Sequence, residues 1–161
     1  MADQSGRPRT LKRWLKSTSN RTFIVYPLVI FLLECLIRKG VPSVFAWGLP
    51  LLPWGFLQYY WGGKYRTRKG GGGPGVEVPP DRIVDTGIYA YTRNPMYLGH
   101  LIFMGGLVIS FGSPPALGLL IFYLFWFQKR VLHDEKRLQK MFGQDYINYM
   151  GRVKRWIPML F

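Results

Sequence analysis

Four stretches of this chain are nearly free of charge: Phe23 to Ile37, Val41 to Trp61, Met96 to Ser113 and Pro114 to Phe127. Each approaches the roughly 20 apolar residues that carry a helix across a bilayer, and none shows the short amphipathic repeat of a soluble helix. Glu34 and Pro27 interrupt the first, but four such blocks at regular intervals make a stronger pattern than any one of them. The expectation is an all-α polytopic membrane protein with about four transmembrane helices, at about 23–38, 43–61, 95–112 and 115–130, and a cytoplasmic helical extension at its C-terminal end. A soluble all-α domain with buried helices is the alternative.

The 161 residues carry a formal net charge of +14, which raises the question of a nucleic-acid partner. Its placement answers otherwise. Arg7, Arg9, Lys12, Arg13, Lys16 and Arg21 precede the first block, and Lys64, Arg66, Arg68, Lys69, Arg82 and Arg93 lie between the second and third. Lys129, Arg130, Lys136, Arg137, Lys140, Arg152, Lys154 and Arg155 follow the fourth. The other two connections hold only Arg38 and Lys39. The positive-inside rule then puts both termini in the cytoplasm, and the basic excess meets anionic lipid headgroups, so no nucleic acid is required.

Residues 1–22 read as a basic cytoplasmic arm with an interfacial turn around Leu11, Trp14 and Leu15, and 23–161 as one transmembrane domain. No cleavable secretory segment is expected before Phe23. The second span carries Pro50 and Pro53 as tolerated kinks, and Trp54, Tyr59, Tyr60 and Trp61 form an aromatic belt at its cytoplasmic end. Lys69 to Pro80, KGGGGPGVEVPP, cannot hold a helix and lacks the Lys-Ser/Thr of a phosphate loop, so it reads as a flexible linker. Asn94-Pro95 is a helix start. Gly99, Gly105 and Gly106 permit close helix approach, and Ser113-Pro114-Pro115 closes a hairpin. The fourth helix continues beyond the membrane to Met141 and stops at Phe142-Gly143, followed by an amphipathic segment, Gln144 to Met150, and a Trp156-Ile157-Pro158 tail on the surface. Cys35 stands alone, and His100 and His133 are too scattered for a metal site; they read as a polar inter-helix contact and a solvated residue.

Two polar groups face the same cytoplasmic zone. One is Gly87 to Gly99, GIYAYTRNPMYLG, at a helix mouth whose amides favour an anion. The other is Arg130, Asp134 and Glu135, on adjacent turns of the fourth helix. From spacing alone the tyrosines are as consistent with an interfacial belt as with a site, and the charges with a surface ion pair of a few tenths of a kcal/mol.

The run Gly87 to Gly99, followed by Asp134-Glu135-Lys136-Arg137-Leu138, Phe142-Gly143, Tyr146, Tyr149 and Arg155-Trp156-Ile157-Pro158, resembles the membrane methyltransferase superfamily. That superfamily contains isoprenylcysteine carboxyl methyltransferases and phospholipid N-methyltransferases. The resemblance covers roughly the second half of the chain and implies a cytoplasm-facing S-adenosylmethionine pocket over 81–97 and 130–158. Asp81, Arg82, Ile83, Val84, Tyr89, Asn94, Pro95, Met96, Tyr97 and Asp134 would hold the cofactor. Arg130 would contact the acceptor, and Glu135 would complete the family's acidic pair as a second catalytic group; no metal is implied. The chain has Arg93-Asn94-Pro95 where the family often has Arg-His-Pro, and Asp134-Glu135 where it often has Glu-Glu. Asn cannot serve as a base at that position.

The acidic pair suits a cation and the helix amides at Asn94 to Tyr97 a carboxylate. In-line methyl transfer depends on holding the reactants in attack geometry and excluding water. The expected activity is methyl transfer to a lipid or lipidated acceptor, an isoprenylcysteine-type carboxylate oriented by Arg130. A phospholipid amine, for which Asp134 or Glu135 would help remove a proton, is the alternative. Sterol reductases that bind NADPH, and a non-catalytic membrane protein, are readings of other classes. Oligomeric state is not readable.

Overall fold

The principal helices begin and end where local chemistry dictates. In a computed structural model, which describes residues 11–73 and 78–156, the described residues are helical or irregular, with no strand among them. A short α1 (Leu11–Lys16) and α2 (Thr18–Asn20) lead through a π-helical stretch, Arg21–Val25, into α3 (Tyr26–Arg38). Pro27 removes the N–H that would bond back four residues, and the widened turn lies just ahead of it. A 3₁₀ turn, Ala46–Gly48, precedes α4 (Leu51–Gly70), and another, Gly87–Ala90, precedes α5 (Pro95–Phe111). Then come α6 (Pro114–Phe142) and α7 (Gln144–Arg152). The first ten residues of the basic arm, part of the Gly/Pro-rich loop and Ile157-Pro158 lie outside the described residues.

Thr18–Arg38 and Pro114–Phe142 are long and apolar enough to cross a membrane, and α5 is apolar but only 17 residues long. The 29-residue α6 runs unbroken for about 44 Å at ~1.5 Å per residue. It is capped by the Ser113 hydroxyl, which accepts from the Ala116 amide at 3.2 Å, with Pro114 next in the chain. It stops at Gly143, φ 57°.

The second block differs from its expected span. Residues 43–50 are not α-helical, and α4 instead runs on through the basic stretch to Gly70. Pro50 and Pro53 therefore produce no kink. They sit at the helix start, where a missing N–H costs nothing because the first turn has no intrahelical partner for it.

What brings α4 onto α5 is a row of glycines. Gly48, in the 3₁₀ turn, and Gly55 and Gly62, in α4, recur every seven residues along α5: Gly48 lies against Gly106 and Ser110, Gly55 against Gly99 and Phe103, and Gly62 against Pro95 and Met96. A Cβ on Gly55 would sit 2.5 Å from the Phe103 amide nitrogen, and one on Gly99 would sit 2.7 Å from the Gly55 carbonyl oxygen. The two backbones are thus in direct contact, as small residues allow. Gly105 meets nothing within 4 Å, so of the three α5 glycines only Gly99 and Gly106 serve this seam. Against it pack α3 and α6, burying Ile30, Phe103, Leu107 and Ala116 in one cluster and Met96, Tyr97, Met104, Tyr123, Phe127 and Val131 in another. His100 is fully buried there, but its contact is aromatic rather than polar. It stacks on Phe23 at 4.7 Å and meets Tyr59 and Phe127, and neither ring nitrogen has a hydrogen-bond partner.

At the end of the bundle away from the α7 side, buried Glu34 accepts from Arg38 Nε at 2.8 Å, and Arg38 Nη2 donates to the Phe111 carbonyl at 2.8 Å. This fastens the end of α3 to the α5–α6 hairpin.

Gly55→Ala and Gly99→Ala are expected to force the helices apart and destabilise the detergent-solubilised protein by roughly 1–3 kcal/mol, the usual scale of overpacking. Gly105→Ala, filling open space in mid-helix, should be neutral or stabilising by about 0.5–1 kcal/mol. Thermal unfolding of the three variants reads the difference, and equal midpoints would show that the seam is not under tension.

Candidate active site

The glycine seam sets the ends of α4 and α5 side by side, and the segment between them folds back over that end. The Gly70 carbonyl accepts from the amides of Asp81 at 2.7 Å and Arg82 at 3.0 Å, and the Asp81 carboxylate accepts from the Gly72 amide at 2.9 Å. Gly87, φ 60°, lies where a Cβ would strike the Tyr65 ring at 2.7 Å, and the Tyr65 and Thr86 hydroxyls meet at 2.9 Å. That turn drops Tyr89 into the interior. Its hydroxyl donates to the Gly62 carbonyl at 3.3 Å, and its own carbonyl accepts from the Tyr149 hydroxyl at 2.8 Å.

Asn94 stands at the N-cap of α5, but its side chain does not cap the helix. Its amide donates instead to the Arg155 carbonyl at 3.1 Å, while the Thr92 hydroxyl accepts from the Asn94 backbone amide at 3.3 Å. One turn on, Tyr97 stacks its ring near Phe127, centroids 5.0 Å apart. Its hydroxyl donates to Asp134 at 2.8 Å and accepts from Arg130 Nε at 3.0 Å. Arg130 lies over the Trp126 ring at 5.6 Å.

These elements border an open cleft of about 810 Å³ when the solvent at its mouth is included. Of the residues expected to hold a cofactor, Ile83, Val84, Tyr89, Asn94, Pro95, Met96, Tyr97 and Asp134 line it, with Glu135 beside them. Asp81 and Arg82 do not; they brace the turn after α4. Arg130 also lies off the lining and joins it through the Tyr97 hydroxyl. The structure adds Arg66, Arg93, Tyr146 and Tyr149 to the wall. Arg93 sits inside the Gly87–Gly99 run, and both tyrosines belong to the downstream motif, so each was visible in sequence without its role.

Glu135, largely buried, is ion-paired to Arg93 at 3.0 Å and to Arg155 at 2.8 Å. Its hydrogen bonds hold the Arg155 guanidinium above its ordinary pKa. Burial raises the phenol of Tyr89 to about 12, with Arg66 pulling the other way, and burial likewise raises Tyr146 and Tyr149. The tyrosine wall is therefore neutral and donor-capable throughout the physiological range. Arg93 Nε, buried in that wall, has no hydrogen-bond partner.

A lining that offers the orphaned Arg93 Nε–H, the Asp134 carboxylate and neutral phenols suits a small molecule bearing both a carboxylate and a cation. S-adenosylmethionine is such a molecule, so the residues present fit it. No group of three or more His, Cys, Asp or Glu that could hold a metal ion occurs among the described residues.

A family model described as phospholipid methyltransferase matches residues 76–145, the stretch that builds most of this cleft. Curated relatives are protein-S-isoprenylcysteine O-methyltransferases. The Saccharomyces cerevisiae protein is 34% identical over 79 residues, 48% of this chain and 33% of the relative. Protein-S-isoprenylcysteine O-methyltransferase B of Arabidopsis thaliana is 29% identical over 80 residues, 49% of this chain and 41% of the relative. The aligned segment thus spans well under half the length of these relatives. A solved eukaryotic intramembrane Ras methyltransferase, isoprenylcysteine carboxyl methyltransferase, superposes over 90% of this chain and 54% of its own, with a TM-score of 0.62 and 22% identity. At that identity the likeness is one of fold.

The raised Tyr89 value has a measurable consequence. The folded state holds the phenolic proton more tightly than the unfolded chain, whose tyrosine titrates near 10, so this contribution to stability is intact below pH 10 and is lost as pH rises through about 12. Unfolding midpoints of solubilised protein are expected to stay level up to about pH 10 on this account and then to fall, and Tyr89→Phe should shrink the fall.

Proposed function

We propose, for a chain that belongs to the membrane-embedded methyltransferase superfamily, that it transfers a methyl group from S-adenosylmethionine to a lipophilic acceptor at the cytoplasmic face of a membrane. An isoprenylcysteine-type carboxylate is the acceptor that the site favours. The chain is an integral membrane protein in which Thr18–Arg38 and Pro114–Phe142 cross the bilayer, joined by α4 and α5 as four spans with both termini cytoplasmic. Its basic collar then lies against anionic headgroups rather than nucleic acid.

The observation that carries this reading is the Arg130–Tyr97–Asp134 junction. It stands where the apolar cluster around Phe127 and Val131 ends and the polar cleft begins. A lipid-borne head arriving from the apolar side meets its first charges there, and the cofactor cleft opens beyond it.

S-adenosylmethionine, when bound, supplies an electrophilic methyl on a sulfonium, open to a single in-line displacement. Ile83, Val84, Tyr89, Asn94, Pro95, Met96 and Tyr97 form the cofactor's wall, and Asp134 faces its cationic part. Asp81 and Arg82 support that wall from behind. Arg130 orients the acceptor carboxylate, a planar group its guanidinium matches, and Tyr97 fixes the approach of Arg130 to Asp134. A carboxylate acceptor carries no proton to remove, so the chain needs no general base, and the absence of a histidine at Asn94 costs nothing. The family match to phospholipid methyltransferases favours a second reading, a phospholipid amine, in which Asp134 would accept the proton.

Purified protein given labelled S-adenosylmethionine with a prenylcysteine analogue or a phospholipid extract should label the analogue. Label in phospholipid alone would establish the second reading. Asp134→Asn and Tyr97→Phe are each expected to lower kcat/KM by roughly 10²-fold, the scale of a lost positioning contact. Thermal stabilisation by NADPH and not by S-adenosylhomocysteine would point to a reductase, and stabilisation by neither to a non-catalytic protein; either outcome would sink the proposal.

A further inference from the structure

Asp134 and Glu135 are neighbours in sequence but not in task. Successive residues of a helix point about 100° apart, and here that turn sends Asp134 to Tyr97 while Glu135 goes to Arg93 and Arg155. Both Glu135 oxygens lie within 3.1 Å of guanidinium nitrogens, and the side chain is 5% exposed. A carboxylate so occupied is a poor proton acceptor and has little left to offer a ligand cation.

What it does instead is visible in its partners. Arg93 also donates through Nη1 to the Met150 carbonyl at 3.2 Å, and its backbone amide donates to the Lys154 carbonyl at 3.0 Å. The Arg155 carbonyl accepts from Thr92 at 3.2 Å and from Asn94 at 3.1 Å. Trp156 Nε1 reaches Gln128 on α6 at 2.8 Å. One buried carboxylate on α6 therefore ties the loop ahead of α5 to the chain after α7. The α7 tyrosines, which are part of the cleft wall, are carried by the same connection. A single negative charge holds two arginines, so removing it strands buried Arg93 without its counter-ion beside partly exposed Arg155, which is more costly than losing an exposed pair.

We propose that Glu135 is a positioning residue. It docks the strap formed by residues 149–156 through Arg93 and Arg155, and the cofactor cleft reaches its binding geometry only with that strap in place. The cofactor half of this statement rests on the methyltransferase reading, whereas the docking half does not.

Two readouts on the full-length protein separate the halves. The first is limited trypsin cleavage after exposed Lys154, whose carbonyl the Arg93 amide holds, without any ligand. Wild type should resist, and Glu135→Gln should be cut roughly tenfold faster or more, as expected when a buried ion pair loses its common partner. The second is steady-state kinetics. Glu135→Gln should raise the KM for S-adenosylmethionine roughly tenfold, with kcat at saturation falling far less and the acceptor KM holding. Adding Arg155→Gln to Glu135→Gln should add little, because both act through one contact. Where Glu135→Gln does not fold, Arg155→Lys, which keeps the charge and loses the fork, should show the same pattern more weakly.

Unchanged cleavage would overturn the docking role. Lost protection with an unaltered KM would overturn its link to the cofactor. A fall in kcat at saturation with KM unchanged would make Glu135 a catalytic residue after all. Failure of wild type to bind S-adenosylmethionine would overturn the cofactor half together with the proposed function, while the cleavage result would still decide the docking half.

Discussion

The backbone contact between α4 and α5 is the constraint on which the rest of the structure depends. Gly55 and Gly99 carry no side chain where either Cβ would strike the other helix. The distance between the two helix axes is therefore set by backbone rather than by compressible side chains. That fixes how far Gly62 stands from the α5 start, and with it the depth to which Tyr89 reaches the Gly62 carbonyl. The cleft is built on the ends of these two helices, so its width follows from a seam that contains no functional group.

Among the described residues the two buried carboxylates are both ion-paired. Glu34 takes Arg38 at one end, and Arg38 reaches on to a carbonyl at the hairpin. Near the opposite end, Glu135 takes two arginines, and the surplus positive charge lies in the cleft wall beside the unpartnered Arg93 Nε. Both ion pairs hold helix ends together, and each leaves one buried polar atom without a hydrogen-bond partner, Glu34 Oε1 at one end and Arg93 Nε in the cleft wall at the other. What distinguishes the two ends is access: the Arg93 end borders the cleft.

Much of the fold was legible because its signals are local. Asn94-Pro95, Ser113-Pro114 and Phe142-Gly143 mark helix ends through the chemistry of a few adjacent residues, and the structure puts ends at all three. The continuation of α6 past the apolar block followed from the absence of a breaker. The second block misled because Pro50 and Pro53 fit a kink or a helix start equally well until one knows that residues 43–50 are not α-helical. The seven-residue glycine period running from Gly48 into α4 was present in sequence but acquires meaning only beside the small residues of α5. For the same reason Gly105 could not be told from Gly106. Asp81 and Arg82, expected in the cofactor wall from spacing, brace it from outside, since spacing along a loop does not specify which way it folds back.

The split between Asp134 and Glu135 was the least legible feature, and it bears most directly on chemistry. An acidic pair in sequence suggests two equivalent groups around one cation. Adjacent side chains leave a helix about 100° apart, so although both border the cleft they meet different partners, and the surroundings decide which. Tyr97 draws Asp134 toward the apolar side because its ring is buried against Phe127 while its hydroxyl needs a partner. Two arginines leave Glu135 no comparable freedom. The member of the pair proposed to meet a ligand is therefore the one hydrogen-bonded to a neutral phenol, since that bond leaves the carboxylate's charge uncancelled, and two guanidinium groups do not.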